Sequence, residues 1–319
     1  MRLSIIVPVF NEEKYIEKLL HWLVSVQPSD KEIFLVDGQS TDRTREIIEQ
    51  FIRDHDSFKL LINPDRYVSY ALNRAIKECQ GDILVRLDAH TEYDASYLTK
   101  IIETFAQTDA DIVGGPMRAI GKTPLQKAVA RATSTSFGIG NSQFHNSNFR
   151  GYTDTVYLGA WKRELFRQTG LFDTQLIRNQ DDEFHYRAKS MGYKIFLNPD
   201  IVSYYYPRDR YKGLMKQYFQ YGLFKPLVSK KVKTEIKIRH LVPPMFVLYL
   251  ILLPLFLFIT PLSLLPLLLY IFLNLTFSLS GKTYRILERM HLFLCYPALH
   301  LSYGSGYLAG IFNVLIQRK

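Results

Sequence analysis

The chain has 319 residues, with 40 Lys and Arg against 30 Asp and Glu and a formal net charge of +10. This length suits one large domain or two smaller ones. Its two cysteines, Cys79 and Cys295, are too few and too far apart in sequence for a disulfide framework or a zinc site, which agrees with a reducing compartment. The cations cluster beside apolar segments, so a membrane surface fits them better than nucleic acid does.

The first 90 residues alternate between short apolar runs and segments with helical periodicity. We predict strands over 3–9, 32–36, 59–62 and 83–87, with helices over 15–23, 47–51 and 69–79 between them. This alternation is typical of an α/β fold with a Rossmann-like, doubly wound, mostly parallel sheet, whose ligands bind at the carboxyl ends of the strands. The Ser-, Asn- and Gly-rich region 123–155 is predicted to be a loop or a mobile segment over a site.

Polar residues follow the first two predicted strands. Pro8 and Glu12 close the first, while Asp37 and Ser40 close the second and precede its helix. Such groups can hold a base, a ribose or a phosphate, although a serine here is also an ordinary helix cap. The chain contains no GxGxxG and no GxxxxGK[ST] pattern, which argues against a dinucleotide site and a P-loop.

Asp88 and His90 stand at the end of the predicted 83–87 strand. In an extended strand, alternate side chains leave on the same side, so this pair is expected to point one way. A carboxylate and an imidazole held together in this way can share a divalent cation of the kind that a diphosphate leaving group needs.

Residues 179–187 form the densest acidic cluster of the chain. Carboxylates are favoured at a helix start without any function, but that does not explain why Asp181 and its neighbours crowd beside Asn179 and Gln180. An ionised carboxylate in a cleft can deprotonate an attacking sugar hydroxyl. Further along, Arg208, Gln217 and Tyr221 suit either a sugar or diphosphate site or an interfacial anchor.

Two apolar runs, over about 241–259 and 262–280, are each just long enough to span a bilayer. Prolines and the short connection favour a tight spanning hairpin, with a re-entrant hairpin as the alternative and buried core helices as a third reading. The stretch 290–316 is interfacial or a third span. Lys and Arg residues flank the two runs, which favours the cytoplasmic side for both ends of the hairpin and for the N-terminal domain. These cations are Lys225, Lys230, Lys231, Lys233, Lys237, Arg239, Lys282, Arg285 and Arg289.

Four ordered segments, 4–13, 36–42, 88–90 and 179–183, resemble the motifs of family 2 glycosyltransferases, which have a GT-A fold. More narrowly, residues 86–90, 179–183 and 217–222 resemble the ExoA-like branch associated with succinoglycan and other exopolysaccharides. This resemblance implies a metal-dependent, inverting transfer of a sugar from a nucleotide-diphosphate donor, commonly a UDP-sugar.

Carried over by position, the resemblance also assigns roles to single residues. It implies that Pro8, Glu12 and Asp37 contact the nucleoside, and that Asp88 and His90 bind Mn²⁺ or Mg²⁺. Asp181 would be the general base. Arg208, Gln217 and Tyr221 would line the diphosphate or acceptor region.

The chain departs from the family pattern at three positions. Gly38 stands where many members have a second Asp, and Gln180 replaces a Glu beside the base. His90 replaces the usual closing Asp of the metal motif, which removes one negative charge at the cation. Because a neutral imidazole ligates Mn²⁺ better than Mg²⁺, manganese is expected to support activity at least as well as magnesium.

Together these features predict a cytoplasmic GT-A domain over 1–225, a basic juxtamembrane linker over 226–240 and a membrane-associated tail over 241–319. The predicted function is the addition of one sugar to a lipid-linked, polyprenyl-diphosphate saccharide of an exopolysaccharide or other surface glycan, at the cell membrane. The alternatives are a processive polysaccharide synthase, for which two or three spans are few, and a non-catalytic scaffold of a glycan-assembly complex.

Overall fold

The structure, a computed structural model, describes residues 1–232, 236–281 and 285–316. It divides into two compact units along the chain. The first unit contains residues 1–118 and 143–205, and the second contains residues 119–142 and 206–319. Two of the predicted flanking cations, Lys233 and Lys282, lie outside the described residues.

Most strands of the described residues form one mixed sheet in the order β3-β2-β1-β4-β9-β6-β10-β8. Strands β1, β2, β3 and β4 pair in parallel, as do β6 and β10, whereas β9 and the edge strand β8 run antiparallel to their neighbours. A second, three-stranded sheet has the order β5-β11-β7. The strands are β1 Leu3–Val9, β2 Lys31–Asp37, β3 Phe58–Ile62, β4 Ile83–Arg86, β5 Glu92–Tyr93, β6 Ile112–Gly115, β7 Arg118–Ala119, β8 Gly151–Tyr152, β9 Tyr157–Lys162, β10 Ile195–Leu197 and β11 Ser203–Tyr205.

Helices occupy the connections of the first unit and most of the second. Helices α5, α6 and α9 to α12 belong to the second unit. The helices are α1 Ile16–Ser25, α2 Thr44–Phe51, α3 Val68–Ile76, α4 Tyr97–Gln107, α5 Pro124–Ala132, α6 Ser136–Ile139, α7 Leu165–Thr169, α8 Gln180–Ser190, α9 Tyr211–Val232, α10 Ile238–Leu257, α11 Leu265–Leu279 and α12 Ile286–Ile316.

Two apolar layers cover the two faces of the main sheet. Ile5 and Val7 of β1 belong to one buried cluster, whereas Ile6 between them belongs to the other. Successive side chains of a strand point to opposite faces, so continuous apolar runs such as β1 are what a sheet covered on both faces requires. The predicted doubly wound, mostly parallel α/β fold is therefore confirmed.

The structure differs from the sequence prediction over 123–155. This region contains helix α5, which begins with a capping box in which Thr123 and Gln126 bond to each other's backbone N–H groups and Pro124 takes the first helical position. Pro at that position and a Thr cap are ordinary helix-start signals. The loop prediction is therefore wrong for the first part of the region.

The second unit is built on the close packing of α9 and α12. A Cβ added to Gly222 would lie 2.1 Å from the carbonyl oxygen of Tyr303, and one added to Gly306 would lie 2.1 Å from that of Phe219. Only glycine permits backbones to approach this closely. Helix α9 runs unbroken from Tyr211 to Val232, so the helix crosses both the predicted boundary at residue 225 and the start of the predicted linker.

Two helical stretches of the described residues are long and apolar enough to cross a membrane, Ile238–Leu257 and Pro261–Leu279. Both are mostly exposed, which argues against the reading of them as buried core helices. The 290–316 stretch belongs to the single helix α12, whose buried face includes Leu292, Cys295 and Tyr296.

A buried carboxylate connects the start of three strands of the first unit. Glu32 accepts hydrogen bonds from the Ser4 hydroxyl, from the Gln80 N–H at 2.6 Å and from the Gly81 N–H at 3.1 Å. Burial alone would raise the pKa of Glu32, but these bonds outweigh it and lower the pKa from its ordinary value of 4.5.

We predict that Glu32→Gln lowers the free energy of unfolding of the first unit by about 1–3 kcal/mol. Because the folded-state pKa of Glu32 is depressed, its contribution is present above pH 4.5 and is lost as the pH falls through the folded-state pKa. Urea unfolding, followed by the fluorescence of buried Trp161, measures the free energy of unfolding. On acidification the variant should lose less stability than the wild type. Glu78→Gln, at an exposed position, is the control; equal effects of the two changes would contradict the assignment.

Candidate functional site

The loops that follow β1 and β2 are bonded to each other. The Asn11 N–H donates to the Ser40 hydroxyl at 3.0 Å, and the Thr41 N–H donates to the Asn11 side-chain oxygen at 2.8 Å. The Glu12 N–H donates to the Thr44 hydroxyl at 2.7 Å. These bonds join two loops at the carboxyl edge of the sheet, where ligands of such sheets bind.

Asp37 is fully buried at the end of β2. Its carboxylate accepts from the Ser40 hydroxyl at 2.6 Å and from the Ser40 N–H at 3.1 Å. At the next residue, a Cβ added to Gly38 would lie 3.3 Å from the carbonyl oxygen of Arg66. A side chain at this position would be in tight contact with the Arg66 carbonyl. Pro8, nearby in β1, is half-buried and pairs with Val36 of β2.

Glu12 and His90 are hydrogen-bonded, with 2.9 Å between Nδ1 of His90 and Oε1 of Glu12. A carboxylate only accepts, so Nδ1 carries the proton and donates it. In neutral His90 the lone pair is then on Nε2, the arrangement in which a carboxylate commonly orients a metal-binding imidazole. The predicted role of Glu12 is a contact with the nucleoside; the structure adds a bond from Glu12 to His90.

Asp88 is held by Arg86. Nε of Arg86 donates to one carboxylate oxygen of Asp88 at 3.0 Å, and Nη2 donates to the other at 3.3 Å. The side chains are only 12% and 19% exposed, respectively, so little water screens the pair. The guanidinium thus occupies both oxygens of the predicted metal ligand.

The backbone of Asp88 is held by Tyr93. The Tyr93 hydroxyl accepts from the Asp88 N–H at 2.7 Å and donates to the Asp88 carbonyl at 3.1 Å. Strand β4 already ends at Arg86, and a bond from the Thr91 N–H to the Asp88 carbonyl closes a turn. The expectation that Asp88 and His90 leave one side of an extended strand is therefore wrong, because pairing with β1 stops two residues earlier.

Asp181 lies in the first turn of α8, which follows Asn179 in the left-handed conformation at φ 59°. Burial raises the pKa of Asp181 above its ordinary value, the negative charge of Asp182 raises it further, and the positive charge of Arg86 opposes both. In turn, the charges of Asp88 and Asp181 overcome the effect of burial and raise the pKa of Arg86. One guanidinium therefore acts on both predicted functional carboxylates.

Other members of the acidic cluster have structural partners. Glu183 forms a two-pronged ion pair with Arg187 at 2.7 and 3.0 Å. His185 is fully buried and lies 2.8 Å from the Thr155 hydroxyl. Burial lowers the pKa of His185 to about 4, so this imidazole is neutral at physiological pH. The cluster therefore combines one candidate base with groups that fix helix α8.

Three predicted residues belong to the second unit. Arg208 precedes α9, while Gln217 and Tyr221 lie one turn apart on α9 and are bonded through the Gln217 side-chain amide and the Tyr221 hydroxyl at 2.8 Å. Gln217 and Tyr221 therefore lie side by side on α9. Their part in binding the diphosphate or the acceptor stays a prediction.

The donor set of Asp88 and His90 is one carboxylate and one imidazole, which suits Mn²⁺. Within the described residues, no group of three or more His, Cys, Asp or Glu side chains could hold a metal ion. A metal bound by this pair therefore needs further ligands from a diphosphate or from water, as is usual where substrate phosphates share a cation. The pair fits a metal that arrives with a nucleotide.

Arg86 is the site residue to which the sequence analysis gave no role. It stands two positions before Asp88, and its side chain is nearly buried although arginine is rarely so unless paired. The sequence did contain a signal for Arg86: it is a cation at the end of an apolar strand, two residues before a predicted metal ligand.

We predict that Arg86 and Asp88 stabilise the metal-free protein as a pair. In buffer with EDTA, Arg86→Gln and Asp88→Asn should each destabilise the first unit, with a coupling energy of about 1–3 kcal/mol in a double-mutant cycle. The measurement is urea unfolding followed by Trp161 fluorescence. The exposed Arg45 and Glu49 pair, 2.7 Å apart, provides the matched control cycle and should show a coupling of no more than about 0.5 kcal/mol. Additive effects of the Arg86 and Asp88 changes would contradict the pairing.

Two curated relatives match the chain over most of its length. A dolichyl N-acetyl-alpha-D-glucosaminyl phosphate 3-beta-D-2,3-diacetamido-2,3-dideoxy-beta-D-glucuronosyltransferase of Methanococcus voltae is 33% identical, covering 72% of this chain and 74% of that protein. The succinoglycan biosynthesis protein ExoA of Rhizobium meliloti (strain 1021) is 34% identical, covering 68% of this chain and 67% of that protein.

Solved structures share the fold. The mannosyltransferase PcManGT from Pyrobaculum calidifontis, in complex with GDP-Man and Mn²⁺, aligns with a TM-score of 0.60 at 18% identity and covers 100% of this chain and 88% of that one. TarS of S. aureus, residues 1–349 in complex with UDP-GlcNAc, aligns with a TM-score of 0.55 at 17% identity, covering 98% and 92%. The predicted GT-A fold is confirmed.

The family model described as glycosyl transferase family 2 matches residues 4–170, which include β1, the loops around Asp37 and the Asp88 turn. With the two relatives above 30% identity, this match confirms the resemblance seen in the motifs. The chain belongs to glycosyl transferase family 2 and is a glycosyltransferase.

Proposed function

We propose that this glycosyltransferase is membrane-attached and metal-dependent, and that it moves one sugar, with inversion, from a nucleotide-diphosphate donor to a lipid-linked saccharide. The observation that carries the proposal is the position of Arg86, which is bonded to Asp88 and acts on Asp181. A metal-binding carboxylate and a general base belong close together, because the donor's diphosphate and the attacking hydroxyl meet at one anomeric carbon.

Asp88 and His90 would hold Mn²⁺ or Mg²⁺ at the donor diphosphate, where the bound metal stabilises the departing negative charge. Pro8 and Asp37 would contact the nucleoside of a donor such as a UDP-sugar. Glu12 would do so too, and its bond to Nδ1 of His90 directs Nε2 as the ligating nitrogen. With Asp88 engaged by a metal, the guanidinium of Arg86 would remain to neutralise Asp181 or the diphosphate.

Asp181 would accept the proton of the acceptor hydroxyl as that oxygen attacks the anomeric carbon. The bond from the anomeric carbon to the diphosphate oxygen breaks on the opposite face, so the configuration inverts. A carboxylate with a raised pKa is a stronger base than an ordinary one and is better matched to this transfer.

The proposed acceptor is a polyprenyl-diphosphate saccharide of an exopolysaccharide or other surface glycan. Support comes from the apolar, exposed helices α10 and α11, which suit attachment to the membrane that carries such lipids. It also comes from the relatives, one named for a dolichyl-linked substrate and one for succinoglycan biosynthesis. In this proposal the catalytic unit faces the cytoplasm, and Arg208, Gln217 and Tyr221 line the diphosphate or acceptor region.

Asp181→Asn should lower transfer by about 10²–10⁴-fold while leaving donor binding unchanged. The assay offers a panel of UDP- and GDP-sugars to membranes that carry lipid-linked acceptors, and calorimetry with UDP and Mn²⁺ measures binding. Glu183→Gln is not a suitable control because Glu183 fixes α8. Asp56→Asn, at an exposed position of the same unit, is the control. Full turnover by Asp181→Asn would remove the base assignment.

Transfer should fall on acidification, because Asp181 acts in its ionised form and its raised pKa makes it protonate at a higher pH than an ordinary Asp. Asp182→Asn removes a negative charge that raises this pKa, so the acidic limb of the pH–rate profile should move to lower pH. A limb that moves to higher pH, or does not move, would contradict the roles given to these two carboxylates.

Manganese should support activity at least as well as magnesium, because one predicted ligand is an imidazole. His90→Asp restores a carboxylate and should shift the ratio of the two activities toward magnesium. Titrations of both metals against the wild type and the variant measure this ratio. Clear superiority of magnesium in the wild type would count against His90 as a direct ligand.

A further inference from the structure

The hairpin of α10 and α11 contains a long uncharged segment. From Leu241 to Gly281 the chain has no Asp, Glu, Lys, Arg or His. The hairpin tip, residues 258–263, joins the two helices through Thr260 and the 3₁₀ turn Pro261–Leu264. A loop that emerges into water on the far side of a bilayer usually carries polar or charged residues, and this tip carries only Thr260 and Ser263.

The apolar side chains of the tip point away from the rest of the protein. Phe258 is 90% exposed, Ile259 76% and Leu262 67%. In water, three large apolar side chains exposed together at a loop tip would be costly. In hydrocarbon, the same arrangement places them among acyl chains.

The backbone donors of the tip are bonded within the hairpin. The N–H groups of Phe258, Ile259 and Thr260 donate to the carbonyls of Leu255 and Phe256. The remaining two donors are also paired. The Leu262 N–H donates to the Thr260 hydroxyl, and the Ser263 N–H donates to the Thr260 carbonyl. Pro261 has no N–H. Hydrocarbon offers no partner to a backbone N–H, so this internal pairing of the donors lowers the cost of placing the tip there.

Side-chain hydroxyls add two further bonds at the tip. The Ser263 hydroxyl donates to the Thr260 carbonyl at 2.7 Å, and the Tyr249 hydroxyl of α10 donates to the Ser263 carbonyl at 2.7 Å. These bonds reduce the number of polar groups of the tip that would need water.

The two arms are each about as long as the hydrocarbon core is thick. Helix α10 has 20 residues, about 30 Å, with Arg239 and His240 in its first turn. Pro261–Leu279, the 3₁₀ turn with α11, has 19 residues. A bilayer has a hydrocarbon core of about 30 Å, so with the base at headgroup level the tip lies near the far boundary of the hydrocarbon, and the composition of the tip decides whether it emerges.

Cations mark the base of the hairpin at both ends. Arg239 donates to the carbonyl of Asn141 at 2.7 Å, and Arg289 donates to the carbonyl of Gly281 at 3.0 Å. Arginines at the ends of apolar helices lie at the headgroup level. Both ends of the hairpin are therefore expected at one membrane surface.

We propose that the α10–α11 hairpin is re-entrant: it enters and leaves the bilayer by the same surface, and its tip ends among the acyl chains without reaching the opposite aqueous phase. This inference rests on the proposed membrane attachment and replaces the expectation of a spanning hairpin. The partner of the exposed tip is lipid hydrocarbon.

The test uses variants of the full chain that each carry one added cysteine, and a membrane-impermeant maleimide. Phe258→Cys and Leu262→Cys probe the tip without removing any of its hydrogen-bonding groups, and Ile238→Cys, 79% exposed at the base, is the matched control. The two native cysteines are buried, so the parent chain gives the background. Spheroplasts expose one side of the membrane, inside-out vesicles expose the other, and detergent exposes all positions.

We expect Ile238→Cys to react from one side, and both tip variants to react about tenfold less from either side but fully in detergent. Reaction of the tip variants from the side opposite to Ile238→Cys would establish a spanning hairpin and overturn the inference, while leaving the membrane attachment intact. Reaction of tip and base from the same side would show that the hairpin is not embedded, which overturns both. If one tip variant stays unreactive in detergent, the other is used in its place. If both stay unreactive in detergent, the tip lies inside the protein and the inference is overturned.

Discussion

The site depends on one buried cation. Arg86 is bonded to both oxygens of Asp88 and its charge acts on Asp181, so a single guanidinium compensates part of the charge of two carboxylates in a region with little water. Burying an uncompensated carboxylate costs several kcal/mol, on the order of the whole stability of a domain. The arrangement also bears on the proposed chemistry, because a divalent cation bound to Asp88 would take over part of the role of Arg86.

The surrounding bonds leave Asp88 and His90 little freedom. The Tyr93 hydroxyl holds the backbone of Asp88 from both sides, and the Glu12 carboxylate orients His90. The loops after β1 and β2 are bonded through Asn11 and Ser40. If these loops bind the donor as proposed, the site is largely formed before the ligand arrives, which lowers the cost of ordering it on binding.

The sequence predicted the parts of the fold that local pattern determines. Strand β1 was predicted with its observed bounds, because a strand buried on both faces is a continuous apolar run. The features that the sequence did not predict depend on pairing between distant strands or on residues that are neighbours only in space. The insertion of β9 between β4 and β6 joins residues far apart in sequence, and the turn at Asp88 exists because β4 stops pairing at Arg86. Helix α9 continues through Pro226, where composition indicated a linker. Helix α5, by contrast, had a readable capping box at Thr123 that the polar composition of the region obscured.

The central claim is that Asp88 and His90 hold the metal on a nucleotide diphosphate, and pulsed electron paramagnetic resonance of the Mn²⁺ complex with UDP tests it most directly. An imidazole ligand to Mn²⁺ gives nitrogen modulation in the electron spin echo, alongside the phosphorus coupling of the diphosphate. The account predicts both signals in the wild type and loss of the nitrogen signal alone in His90→Gln. A wild-type spectrum with phosphorus coupling and no nitrogen modulation would contradict it.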